Sequence, residues 1–206
     1  MTLTGALTSL GEGVFENCTS LATLNLAGGI EEYPKSMVKG CTALTTFTNT
    51  GYADIAAIGD SAFMNSGLPG ALSVVAPTVA QFAYKNCKIT GLTLANACTS
   101  CGEGAFSYNT LLASVSIGTG LTVYPKDMFL DSDNITSFSH PNEAYLTDIG
   151  EHALENCHGW TGTHTLTRCA IIRQFGLSNT NATRIDFGNS LCAAIHPYAF
   201  YNCSLL

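Results

Sequence analysis

The chain has 206 residues, 46% of them apolar and only 11% charged, with eight Lys and Arg and a net charge of −7. Disorder is excluded, because it needs low hydrophobicity and high charge, and nucleic acid is excluded as a partner, because no basic run exists to neutralise phosphates. No apolar stretch approaches the ~18 residues of a membrane helix, so no membrane insertion is expected.

Read from the amino end, the first organised phrase is LGEGVFENC at 10–18. It has an apolar anchor at Leu10, an aromatic five residues later at Phe15 and a small residue eight later at Cys18. LATLNL (21–26) follows, alternating with period two, which predicts a short strand with one buried face. The two patterns then take turns. Tyr33/Val38/Cys41 precedes LTTF (44–47), Ile58/Phe63/Ser66 comes next, and Val79/Tyr84/Cys87 precedes GLTL (91–94). Cys101/Phe106/Asn109 precedes LASVSI (112–117), and Tyr124/Phe129/Ser132 precedes ITSF (135–138). Ile149/Leu154/Cys157, then Ile172/Leu177/Thr180 with RIDF (184–187), and finally Ile195/Phe200/Cys203 complete the series. The nine anchors are 23, 25, 21, 22, 23, 25, 23 and 23 residues apart.

A period of this length marks a solenoid, whose units bury their apolar faces only by stacking. The anchored phrase is too short for a stable helix of its own and predicts one turn of α or 3₁₀ helix. A longer period lies above the short one. LGEGVFENC returns as CGEGAFSYN at 101–109, and YPKSM (33–37) as YPKDM (124–128), each 91 residues on. Two blocks of four units are therefore expected, near 10–100 and 101–194.

The best copies, LTSLGEGVFENCTSLATLNL (7–26), IAAIGDSAFMNS (55–66), LTDIGEHALENC (146–157) and AAIHPYAFYNC (193–203), resemble the BspA-like leucine-rich repeats of TpLRR type. The resemblance covers essentially the whole chain. VAQFAYKNC and IIRQFGLSNT depart from it by lacking the glycine after the anchor. It implies one leucine-rich repeat solenoid over 1–206, a right-handed stack of about nine units, each a short parallel strand plus a short helical turn. It also implies a cell-surface or secreted microbial protein, bound to protein ligands such as host extracellular matrix or another cell surface.

The nine cysteines all occupy inward slots of the repeat, which predicts buried free thiols filling small sites. Cys18/Cys41 and Cys169/Cys192 share a slot in neighbouring units, so a bridge at either remains open. CTSC (98–101) has redox spacing without a βαβ context. No zinc motif, H-E-x-x-H, G-x-S-x-G or phosphate loop is present, so no cofactor, metal or catalytic residue is assigned.

The outward strand positions form a hydroxyl row, Thr46, Thr48, Ser114, Ser116, Ser137 and Ser139, ending in a polar patch of His164, Arg184 and Asp186. These are the candidate binding residues of a non-catalytic adhesion module, since solenoids bind along extended faces. One alternative is a spacer holding other domains away from a cell surface. A second is an enzyme with a pocket near 140–164, around His140, His158 and His164. Neither end carries a recognisable polar cap and no leader precedes the repeats, which predicts a fragment of a longer exported chain that associates end to end.

Overall fold

The computed structural model describes residues 1–5, 7–50, 55–188 and 192–206. Two sets of parallel strands run along it. The longer strands arise from the apolar alternations: Thr2–Leu3, Thr23–Leu26, Thr46–Asn49, Pro69–Val74, Lys88–Leu94, Ser114–Ile117, Ser137–Ser139, Thr161–Thr165 and Asn181–Asp186. Their inward residues, such as Leu24, Leu26, Leu92, Leu94, Val115 and Ile117, are buried.

A second set was not anticipated. It consists of two-residue strands: Glu32–Tyr33, Ala57–Ile58, Thr78–Val79, Ser100–Cys101, Val123–Tyr124, Asp148–Ile149, Ile171–Ile172 and Ala194–Ile195. Every anchor after Leu10 is the second residue of one of these strands. The chain is thus a parallel β-solenoid of about eight turns.

The helical turn expected after each anchor does not form. The segment makes successive tight turns with two residues at positive φ, three and seven after the anchor: Ser36 and Gly40, Ser61 and Asn65, Phe82 and Asn86, and so on to Tyr198 and Asn202. Left-handed residues this frequent cannot propagate a right-handed helix. Their spacing turns alternate amides sideways instead. Val38 N–H donates to Ala62 O (2.8 Å), Phe63 N–H to Ala83 O (2.8 Å) and Tyr84 N–H to Ala105 O (2.9 Å), each in the next turn of the solenoid. Among the described residues the one helical element is a 3₁₀ turn at Glu143–Tyr145.

The plus-five residues line up inside as a single row. Phe63, Tyr84, Phe106 and Phe129 stack with ring centroids 4.9, 5.7 and 5.8 Å apart. The plus-eight slot holds a small donor because it must reach the plus-five carbonyl of the preceding unit. Cys41 Sγ donates to Phe15 O (3.0 Å), Cys87 Sγ to Phe63 O (3.1 Å), Cys203 Sγ to Leu177 O (3.1 Å) and Ser132 Oγ to Phe106 O (3.2 Å). All nine cysteines are free thiols, Cys41, Cys87, Cys98, Cys157 and Cys169 among them buried.

Candidate functional site

The outward row exists where strands keep their register. Ser114 and Ser116 stand opposite Ser137 and Ser139, and Thr46 and Thr48 opposite Thr23 and Asn25. Thr48 Oγ1 donates to Asn25 Oδ1 (2.9 Å). Arg184 is exposed and pairs with Asp186 (3.2 Å), which also accepts Gly188 N–H (2.8 Å).

His164 does not belong to that surface. It is buried, and the outward residues of its strand are Thr163 and Thr165, opposite Arg184 and Asp186. The cause is a bulge between Gly162 and Thr163, with Gly162 at φ +86°, which shifts the alternation against the neighbouring strand. The expected patch therefore loses its histidine. His158 is exposed, with its Nδ1 3.5 Å from Asp133 O, away from the two buried histidines. Among the described residues no group of His, Cys, Asp or Glu is arranged to hold a metal ion, and no helix is long and apolar enough to cross a membrane.

The longer-strand face is interrupted twice. Thr46–Asn49 does not pair with Pro69–Val74, and Ser137–Ser139 does not pair with Thr161–Thr165. Both interruptions fall where successive anchors stand 25 residues apart, Tyr33 to Ile58 and Tyr124 to Ile149. The units stay in contact on the other faces: Tyr33 pairs with Ile58, and Val38 N–H still reaches Ala62 O. At the start of the first gap Gly67 N–H bonds Cys41 O (3.0 Å), and a Cβ on Gly67 would come within 2.4 Å of Thr42 O. The two strands thus leave a tight junction and diverge along their length.

In the first gap this divergence leaves a cavity of about 530 Å³. Its floor is aromatic. Tyr33, Phe47 and Phe63 meet edge to face at 5.1–5.5 Å, and Tyr84 stacks beneath Phe63. Leu68 and Leu72 form one wall, and Thr46 and Ser73 the rim. Of the residues read as binding from the sequence, Thr46 lies on this cavity and Thr48 beside it; the others stand elsewhere along the face.

The second gap is filled by its own side chains. Trp160 and His164 stack with centroids 3.5 Å apart, and His164 Nδ1 lies 2.8 Å from Glu143 Oε2. The other oxygen of Glu143 accepts Thr165 N–H (2.9 Å), so the 3₁₀ turn clips the strand. Beside them the Tyr124 hydroxyl is 2.7 Å from His140 Nδ1. Burial holds His140 below the ordinary histidine value, against the opposing charge of Glu143. The Nε2 atoms of both histidines are buried without a hydrogen-bond partner. The bulge glycines align the two gaps. Leu68 and Leu72 flank Gly70 as Trp160 and His164 flank Gly162, each two residues to either side.

A family model described as BspA type leucine rich repeat region matches residues 1–69 and 77–206 in six copies. The comparison with curated proteins finds no match. Among solved structures, a leucine-rich repeat protein from Bacteroides ovatus aligns with a TM-score of 0.75 at 17% identity, covering 97% of this chain and 57% of that one. A leucine rich cell surface protein from Faecalibacterium prausnitzii aligns with a TM-score of 0.51 at 14% identity, covering 89% and 70%. The chain spans just over half the length of the first of these proteins.

Proposed function

Because the chain belongs to the BspA-type leucine-rich repeat family, we propose that it is a non-catalytic binding module of a cell-surface or secreted microbial protein. It engages a protein ligand along the longer-strand face, and the first gap receives one aromatic side chain of that ligand. The hydroxyl row beside the gap, Thr46, Thr48, Ser114, Ser116, Ser137 and Ser139, supplies polar contacts, and Arg184 with Asp186 the charged end. The reading rests on the cavity of about 530 Å³, which interrupts an otherwise closely packed solenoid. An aromatic floor with a polar rim is the usual anatomy of a site that takes an anchoring side chain. The second gap supports the choice of occupant, since the corresponding position there is filled by the Trp160 indole. The surface location is supported by a similar protein that is named a cell surface protein.

The test copies the second gap into the first. Leu68→Trp places an indole where Trp160 stands in the other gap. Binding is measured by surface plasmon resonance, with wild-type and variant protein passed over a panel of purified extracellular matrix proteins and over peptides selected on the wild type from a random display library. The expected result is loss of at least tenfold in affinity for the selected ligands, with circular dichroism unchanged. Equal affinity would remove the gap from the binding site. Failure of the wild type to select any ligand would favour a spacer.

A further inference from the structure

The pair Cys98 and Cys101 lies four units from either interruption of the strand face and plays no part in the binding reading. Cys98 is buried, at the end of a bend that leads into Ser100–Cys101, and Cys101 is half-buried. Their sulfurs are 3.9 Å apart, close enough for one thiol to donate to the other. That contact lowers Cys98 below the ordinary thiol value and, together with burial, raises Cys101 well above it. The backbone around them is tied on both sides. Thr99 N–H donates to Pro77 O (2.9 Å), Cys98 N–H to Ala95 O (3.0 Å) and Gly102 N–H to Val79 O (2.8 Å). Closing the sulfurs to the roughly 2.05 Å of a disulfide therefore requires side-chain rotation, not a shift of strands. The two slots are adjacent inward positions of one turn; the preceding unit fills them with Ala76 and Val79, and only here do both carry sulfur.

We propose that Cys98 and Cys101 form a peroxide-oxidised dithiol that closes into an intramolecular disulfide, with Cys98 as the attacking thiolate and Cys101 as the resolving thiol. The Cys98 thiolate attacks one oxygen of hydrogen peroxide, the O–O bond breaks, and the departing hydroxide takes a proton from solvent as water, leaving a sulfenic acid at Cys98. Cys101 attacks that sulfur, the S–O bond breaks, and a second water leaves with the thiol proton. Peroxide is reduced by two electrons and the two thiols are oxidised to one disulfide. The thiolate is the reactive form, which assigns attack to the sulfur whose charge its neighbour stabilises.

The sequence supplies a clean readout. No Lys or Arg lies between Lys88 and Lys126, so trypsin releases both thiols, and no other cysteine, on the peptide 89–126. The full chain is reduced, freed of reductant, treated with a few equivalents of hydrogen peroxide, alkylated with iodoacetamide and digested. The expected peptide is two hydrogens lighter than its reduced form, carries no alkyl group, and recovers two after dithiothreitol. Two variants use side chains already present in the neighbouring unit. Cys101→Val should trap the sulfenic acid at Cys98 as a dimedone adduct, and Cys98→Ala should give neither adduct nor disulfide. Full alkylation of the wild-type peptide after peroxide would overturn the proposal. So would a dimedone adduct on Cys101 in Cys98→Ala, or a mixed disulfide to the exposed Cys18 of a second chain.

Discussion

Asn109 fills the plus-eight slot at the middle of the stack, and its removal discriminates between a slot that merely needs a small residue and one that needs a donor. It is fully buried. Its Oδ1 accepts Cys87 N–H (2.8 Å), and its Nδ2 donates to Tyr84 O (3.0 Å) and to Phe106 O (2.7 Å). Other units close the same turn directly: Cys41 N–H donates to Val38 O (3.1 Å) and Ser66 N–H to Phe63 O (3.0 Å). Asn109 therefore inserts its amide between Cys87 N–H and Tyr84 O. In Asn109→Ala these two groups lose their partner, while Phe106 O keeps Ser132 Oγ. Each orphaned buried group costs about 1–3 kcal/mol, so the loss is about 2–5 kcal/mol before relaxation. Against a total stability of roughly 5–15 kcal/mol this is a large fraction. Asn109→Ser reproduces Ser132 in the next unit and should cost less than about 1 kcal/mol more than a surface change, because the direct turn bond can reform. Urea unfolding followed by fluorescence of the one tryptophan, the buried Trp160, gives the midpoints. Equal losses for the Ala and Ser variants, or a loss below about 1 kcal/mol for Ala, would refute the assignment.

Acid should weaken the second gap through His140. Its folded value is depressed by burial, so below the unfolded value of about 6.5 the unfolded chain binds the proton more readily. The contribution of this residue is complete above that pH and is lost as pH falls through the folded value. His140→Asn, which copies Asn49 of the first gap, should flatten the fall in urea midpoint between pH 7.5 and 5.5; an unchanged slope would place the sensitivity elsewhere. Thiol labelling should separate the cysteines by depth. Burial pushes Cys87 up to about 12 and Cys157 higher still, whereas Cys18 is exposed. At pH 8 iodoacetamide should modify Cys18 and spare Cys87 and Cys157 until the chain unfolds; labelling of Cys157 at the rate of Cys18 would contradict the buried slot.

Much of this architecture was legible because each unit repeats one physical requirement. Phe63, Tyr84, Phe106 and Phe129 share one phase and make one stacked row, and Cys41, Cys87 and Ser132 share another and close the same kind of contact. The turn geometry was less legible. Gly40 and Asn65 announce left-handed positions, but Phe82, His152, Phe175 and Tyr198 adopt the same conformation, and such residues do so rarely. They are held there by lateral hydrogen bonds that no local propensity encodes. His164 was misplaced because strict alternation was carried through Gly162, an isolated strand glycine of the kind that marks a bulge. The cavity residues Tyr33, Phe47 and Leu72 read as ordinary core; the signal that locates them is the interval of 25 residues, which was visible but had no structural meaning until the sheet was seen to part there.

That interval also explains how one scaffold can hold both a filled and a hollow site. The two extra residues cannot be taken up on the short-strand face, where Tyr33 must meet Ile58 and Tyr124 must meet Ile149. Nor can the turn face absorb them, where Val38 N–H must reach Ala62 O and Phe129 N–H must reach Ala153 O. The slack falls on the longer strands, which separate, and a bulge follows at Gly70 or Gly162 to restore register. A four-unit block written twice would place this weakness twice, four units apart, and leave the outcome to a few side chains. Trp160, His164 and Glu143 close the second gap by stacking and hydrogen bonding. Leu68 and Leu72, shorter and without donors, cannot do the same in the first, and the space between the strands stays available to an outside side chain.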